Sequence, residues 1–259
     1  MGLFGFGRKK AEMREECPPY LTGKEVRKLK QSLFSGEETP ERICRMLGFA
    51  APLLGKENQP IDALPQYRGK EEERLAAMYA SSWGDPSYET LAEQVGHLVE
   101  GDQEEFLNQV NRILRAYPKS EWAGQASRLG GLDSSTLDKL ERAEEILGMM
   151  AIYEIPHPES LAAFDLVRAA NLVFVSIGLG YTRFSQDEGL LEQIAEKASG
   201  IYSGWAEYYG GYLLGRGLWA WSQGKYLLMN APAVRNTCRV LLKAEESPMN
   251  RIPFKQGKV

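Results

Sequence analysis

Apolar residues recur every three or four positions along most of the chain, the spacing that places them on one face of an α-helix. The pattern is densest between residues 158 and 222, which we predict to form the core. No segment alternates β-branched and polar residues as a half-buried strand does. The sequence therefore predicts an all-α protein, a compact multi-helix bundle with a helical N-terminal arm.

Three helices are expected in the central stretch. The first begins near Leu161 and ends near Gly178. The second follows the sequence Ser185-Gln186-Asp187-Glu188, which has the form of a capping box. The third carries a high density of aromatic side chains and extends to Trp221.

Proline and glycine between Gly55 and Gly69 indicate a linker. The expected segments of the chain are a disordered or loosely attached start (1–19), an arm with its linker (20–69), a main domain (70–246) and a loose tail (247–259). An alternative stays open, in which the linker is an ordered loop anchored on the main domain by Ile61 and Leu64.

A set of polar residues interrupts the apolar core, and we call it the polar seam: Asp165, Arg168, Asn171 and Arg216. An unpaired charge in a core costs about 3–5 kcal/mol. We therefore expect Asp165 to pair with Arg216 where the first and third central helices meet. The seam has two interpretations, a buried network that fixes helix register or a pocket in which Arg168 and Arg216 hold an anionic group.

Three motifs of this stretch resemble a known family. Residues 164–172 (FDLVRAANL) are similar to its W-D-x-x-R-x-x-N-L signature, residues 202–208 (YSGWAEY) to its Y/F-S-S-W-E-E-F element, and residues 212–219 (YLLGRGLW) to Y-L-L-G-R-x-x-W. The family is bacterial and catalogued as domain of unknown function 1266. Phe164 and Gly204 depart from its pattern. The resemblance covers roughly residues 75–222 and implies a shared domain, with no activity to carry over.

Composition limits the chemistry. The net charge of −4 argues against a nucleic-acid surface. The three cysteines form no CxxC pair, which fits a reduced, cytoplasmic setting. The chain has only two histidines, His97, interpreted as a packed or surface residue, and His157, expected to be exposed between two prolines. We therefore expect neither a multi-histidine metal site nor a cofactor. Phosphate-loop, zinc-protease and serine-hydrolase motifs do not occur.

The first ten residues, MGLFGFGRKK, are apolar and then basic. The simpler interpretation is a disordered start, and the alternative is a weak peripheral membrane contact. No run approaches the about 18 apolar residues of a membrane-spanning helix.

Two functions follow as hypotheses. The leading one is a non-catalytic binding or interaction module whose protein partner contacts an exposed aromatic surface of Trp205, Tyr208, Tyr209 and Trp221. The alternative is an enzyme or ligand-binding protein for an anionic small molecule held by Arg168 and Arg216. The pattern leaves a homo-oligomer open.

Overall fold

Helices make up the regular structure of the part that the computed structural model describes, residues 22–101, 104–128, 134–152, 154–222 and 231–256. The first six are α1 (Gly23–Leu33), α2 (Glu41–Lys56), α3 (Lys70–Trp83), α4 (Tyr88–Glu100), α5 (Glu104–Ala116) and α6 (Trp122–Arg128). The next five are α7 (Ser134–Ile152), α8 (Ala163–Gly178), α9 (Phe184–Ile201), α10 (Trp205–Ser222) and α11 (Ala231–Lys243). Short 3₁₀ turns occur at Lys119–Glu121 and Pro248–Asn250. The all-α prediction is confirmed.

Helix α8 occupies the centre of the bundle. Between Ala163 and Ser176 every residue of α8 is buried except Arg168. A helix that is apolar on all sides needs neighbours all round, and α2, α4, α9 and α10 pack against it. The sequence placed the core here correctly.

The predicted N-terminal arm is part of this core. In α2 every residue from Cys44 to Gly55 is buried, and the helix packs along α8. The C-terminal segment and α11 also approach α2 closely: a Cβ added at Gly48 would lie 2.5 Å from the sulfur of Met249, and one at Gly55 would lie 2.5 Å from a methyl of Thr237. Helix α2 carries too much apolar surface to remain outside the bundle, so the arm, whose attachment the sequence left open, packs on the main domain.

The segment after α2 is an ordered loop, as in the alternative interpretation. Ile61 is fully buried, and its backbone N–H donates to the carbonyl of Leu33 at 2.9 Å. Further along, Tyr67 is also buried and packs where Gly178 ends α8. The proline-containing loop therefore packs on the bundle and does not act as a free linker.

The predicted loose tail is packed as far as the structure describes it. Met249, Ile252 and Phe254 are buried. The buried guanidinium of Arg45 on α2 donates two hydrogen bonds, at 2.9 and 3.3 Å, to the carbonyl of Phe254. Since an arginine in a core needs acceptors, this contact fastens the C-terminal segment to α2.

The capping box expected at the start of α9 does not form. The helix begins at Phe184, and its N-cap residue is Arg183, which makes no side-chain cap. Asp187 is fully buried and accepts a short hydrogen bond from the hydroxyl of Thr182. That hydroxyl also lies 3.0 Å from Ser176 Oγ, so the carboxylate joins α9 to the end of α8.

Of the helices in the described ranges, none combines the length and the apolar character that crossing a bilayer requires. Residues 1–10, for which we considered a membrane contact, lie outside the described residues.

Candidate functional site

Part of the polar seam forms as an ion pair within α8. The Nη1 atom of Arg168 donates to Asp165 Oδ1 at 2.8 Å, and the two residues are one helical turn apart. Asp165 is 2% exposed, whereas the Arg168 side chain keeps 23% of its surface. The guanidinium carbon also lies 5.1 Å from the ring centre of Phe164 and 5.8 Å from that of Trp83. A partly exposed arginine thus covers a buried carboxylate.

The expected pairing of Asp165 with Arg216 is wrong. Arg216 Nη1 donates instead to the hydroxyl of Tyr212 at 3.2 Å, one turn earlier on α10. Helices α8 and α10 do pack together, and Phe164 and Gly215 are the residues at their contact. A Cβ added at Gly215 would lie 2.7 Å from Phe164 Cβ. Asp165 and Arg216 each follow a contact residue by one position, about 100° around the helix. Both side chains therefore turn away from the interface.

The charge of Arg216 acts on the end of α2. The pKa of the Glu57 carboxyl is raised, because burial outweighs the positive charges of Lys56, Arg74 and Arg216, which lower it. Burial also lowers the pKa of Lys56, and the charge of Arg216 lowers it further. Glu57 lies in the segment interpreted as a linker, and no spacing pattern connects that segment with Arg216.

The two arginines proposed as anion anchors do not share a pocket. Arg168 stays beside Trp83, whereas Arg216 lines an apolar pocket with Arg235 of α11 and with Met149 and Met150 of α7. Asn171, the remaining seam residue, is buried on α8, and its Oδ1 atom has no hydrogen-bond partner within the described structure. The seam is therefore three separate polar sites.

The aromatic residues of α10 are interior. Tyr208 and Tyr209 are fully buried and Trp205 is 7% exposed. The hydroxyl of Tyr209 donates to the carbonyl of Gly48 at 3.0 Å, and that of Tyr208 donates to Phe49 at 3.1 Å. These three residues cannot form an exposed partner surface, which corrects the expectation. The side chain of Trp221 lies outside the described residues.

A polar cleft lies elsewhere, where four parts of the chain meet. It has a volume of about 470 Å³ and opens to solvent. The side chains that give it its chemistry are Arg115 of α5, His157 and Glu159 of the connector before α8, Ser203 and Glu207 at the start of α10, and Lys255 of the C-terminal segment. Both signs of charge are present, which distinguishes this cleft from the apolar pocket at Arg216.

His157 is held by Asn111. The Nδ2 amide of Asn111, 1% exposed, donates to the carbonyls of Pro158 and Glu159 at 3.1 and 3.2 Å. Because carbonyls only accept, this fixes the amide orientation and turns Oδ1 towards His157 Nε2, 2.8 Å away. Burial lowers the pKa of the His157 ring, and the positive charge of Arg115 adds to this effect.

The connector that carries His157 is braced by Arg115. Its Nη1 atom donates to the carbonyls of His157 and Pro158, both at 3.1 Å, and its Nη2 atom lies 3.3 Å from a carboxylate oxygen of Glu159. Two polar side chains of α5, the buried Asn111 and the exposed Arg115, thus place this rim of the cleft.

Glu207 orders the part of the cleft that the start of α10 contributes. One of its carboxylate oxygens accepts from both the backbone N–H and the hydroxyl of Ser203, each at 2.8 Å. Burial acts to raise the pKa of Glu207, but the hydrogen bonds from Ser203, a further one from Glu159 and the charge of Arg115 outweigh it and lower the pKa. The cleft therefore contains an ionised carboxylate at neutral pH.

The comparison with protein families agrees with the sequence motifs. The model of the family described as protein of unknown function (DUF1266) matches residues 78–254, more than half of the chain. The chain belongs to this family. No curated protein and no solved structure matches it significantly. Ser203 and Glu207 of the cleft lie in the motif of residues 202–208, by which the sequence resembled the DUF1266 family.

Sequence reasoning missed this cleft because its residues are far apart in the chain. His157 between two prolines suggested an exposed side chain, yet it is half-buried. Asn111 lies on the buried face of α5 among apolar residues, and this buried amide was the one available signal. No spacing rule relates it to a histidine on a connector beyond α7.

Proposed function

We propose that this member of the DUF1266 family is a binding protein and that its ligand site is the cleft at His157. One observation carries the proposal: four separate parts of the chain bring charged and hydrogen-bonding side chains to one solvent-open cleft, and several of them are already held by buried contacts. Sites for small molecules are concave, with a few polar groups that converge from a rigid frame.

Hydrogen bonds within the protein hold the side chains and backbone that line the cleft in place. Asn111 and Arg115 together donate four hydrogen bonds to carbonyls of the connector, and Glu207 accepts two from Ser203. A ligand therefore meets side chains that lose little conformational entropy on binding, which lowers the cost of association. Lys255 is exposed and forms no ion pair with any described residue, so it is available for an anionic group.

An anionic small molecule, the ligand class suggested by the sequence, is retained with different anchors. Lys255 and Arg115 replace Arg168 and Arg216. The interaction-module hypothesis has lost three of its four aromatic residues to the core, and the large apolar side chains exposed in the described structure are Tyr117, Ile152 and Tyr181. A small ligand is therefore better supported than a protein partner. We place the protein in the cytoplasm because Cys44 and Cys238 are free thiols.

Binding can be tested by a screen of amino acids, sugar phosphates and carboxylic acids against the ¹⁵N-labelled protein. We expect ligand-induced chemical-shift changes at the backbone amides of residues 157, 203, 207 and 255. Lys255→Glu should weaken the affinity of an anionic hit by about 10-fold, since it replaces an attraction by a repulsion. The matched control is Lys70→Glu, because Lys70 is exposed at the start of α3.

The proposal fails if hits perturb residues elsewhere, or if Lys255→Glu and Lys70→Glu bind a cleft-directed hit equally well. Thermal unfolding of both variants should match the wild type, which separates loss of binding from loss of fold.

A further inference from the structure

One ring nitrogen of His157, Nε2, is hydrogen-bonded to Asn111, and the other, Nδ1, has no hydrogen-bond partner among the described residues. The fixed amide of Asn111 presents its oxygen to Nε2, so Nε2 must carry a proton and donate. A neutral imidazole has one N–H, and the proton on Nε2 therefore leaves Nδ1 with a bare lone pair. Within the described structure, no hydrogen bond is made by Nδ1.

The geometry points to Nδ1 of His157 as the hydrogen-bond acceptor of the cleft, with a small zwitterion that offers it an ammonium donor as the ligand. This inference rests on the proposed function, since it names the ligand class of the same site.

The surrounding charges favour such a ligand. Arg115 and Glu159 flank the connector and are paired with each other, Glu207 is ionised, and Lys255 stands unpaired among the described residues. In a cleft lined by these groups, an ammonium group has acceptors in Nδ1 and the Glu207 carboxylate, and the anionic end of the molecule has a cation in Lys255. A ligand with an anionic group alone would bring no cationic group to the ionised carboxylate of Glu207.

The same groups keep the histidine neutral. Burial and the charge of Arg115 lower the pKa of His157, so Nδ1 stays unprotonated at neutral pH. Acidification that protonates Nδ1 would turn the acceptor into a donor, and binding of an ammonium group should weaken.

The tautomer can be measured on the whole protein, because the chain has only two histidines. Long-range ¹H–¹⁵N correlation spectra of the wild type at pH 8, assigned with a His97→Gln variant, should show His157 Nε2 protonated and Nδ1 unprotonated. A spectrum with the proton on Nδ1 would overturn the inference without affecting the question of whether the cleft binds ligands.

Recognition can be tested with glycine and its N,N,N-trimethyl derivative, which carry the same charges but differ in the ammonium donor. Glycine should shift His157 Nδ1 and the Ser203 amide, and it should bind more tightly than the trimethyl compound, with about 3- to 10-fold of that preference coming from the hydrogen bond to Nδ1. His157→Gln retains a donor near the position of Nε2 and lacks Nδ1, so it should remove that part of the preference and leave only the part due to the Glu207 carboxylate.

Equal binding of the two probes would refute the role of Nδ1. If neither probe moved the Ser203 amide while the tautomer were as expected, the zwitterion class would be wrong. The wider ligand screen would then decide the proposed function by itself.

Discussion

The hydroxyl of Tyr209 donates to the carbonyl of Gly48, the acceptor that Pro52 deprives of its helical partner. In an α-helix the carbonyl of residue 48 accepts from the N–H of residue 52, and proline has none. A buried tyrosine of α10 therefore fills the gap that a buried proline leaves in α2. This contact explains why Tyr209 lies in the interior, and it joins the two ends of the chain's core.

Tyr209→Phe should lower the free energy of unfolding by about 1–3 kcal/mol, the cost of leaving a buried acceptor unpaired. Pro52→Ala restores an N–H for the same carbonyl. The effect of Tyr209→Phe should consequently be smaller in a Pro52→Ala background, with a coupling of at least about 0.5 kcal/mol in denaturant melts. Additive effects would show that the hydroxyl and the proline are unrelated.

Asp165 and Arg168 should be coupled, whereas Asp165 and Arg216 should not. Removing one partner of a buried pair destabilises by about 3–5 kcal/mol, and the partial exposure of Arg168 moves the expected loss for Asp165→Asn to the lower end. Double-mutant cycles with Arg168→Met should give a coupling above about 1 kcal/mol. The cycle with Arg216→Met should be additive within about 0.5 kcal/mol. A larger coupling energy for Asp165 with Arg216 than for Asp165 with Arg168 would support the pairing expected from the sequence.

The buried carboxyl of Asp187 should make stability fall as pH rises. Burial raises its pKa above 3.8, and the hydrogen bond from Thr182 acts in the opposite direction. The folded state then binds this proton more tightly than the unfolded state, so stability decreases from pH 3.8 up through the raised pKa. Asp187→Asn should remove that slope and raise the melting temperature at neutral pH. Asp85→Asn, at an exposed position, is the control and should change neither quantity.

His157 should contribute the opposite slope. Its pKa is lowered below 6.5 by burial and by Arg115, so the folded state binds the proton less tightly. The stabilisation is complete above pH 6.5 and is lost as pH falls through the lowered pKa. In unfolding titrations, His157→Gln should be less sensitive to acid in that range than the wild type. An unchanged acid dependence would mean that His157 is solvated as freely as an exposed histidine.

Periodicity predicted the helices and the burial of α8 because both depend on local apolar spacing. It failed for segments whose position depends on distant partners. The loop after α2 has the proline and glycine content of a linker, yet Ile61 and Tyr67 anchor it to the bundle. The predicted pair of Asp165 with Arg216 does not form for a geometric reason. Phe164 and Gly215 occupy the contact between α8 and α10, and the next residue on each helix points away from it.

The cleft could not be predicted from local pattern at all. Asn111 and His157 carry no mutual spacing signal, and only the fold shows that a buried amide fixes a ring on a distant connector. A buried asparagine on an otherwise apolar helical face does indicate a partner, because buried polar groups are almost always paired. That indication names neither the partner nor the function.

If the cleft at His157 is the ligand site, ligands enter it and do not enter the apolar pocket at Arg216. A backbone amide shift map of the wild-type protein with the hits of the ligand screen distinguishes the two sites. We expect the largest changes at residues 157, 203, 207 and 255. The largest changes at residues 149, 216 and 235 would contradict it.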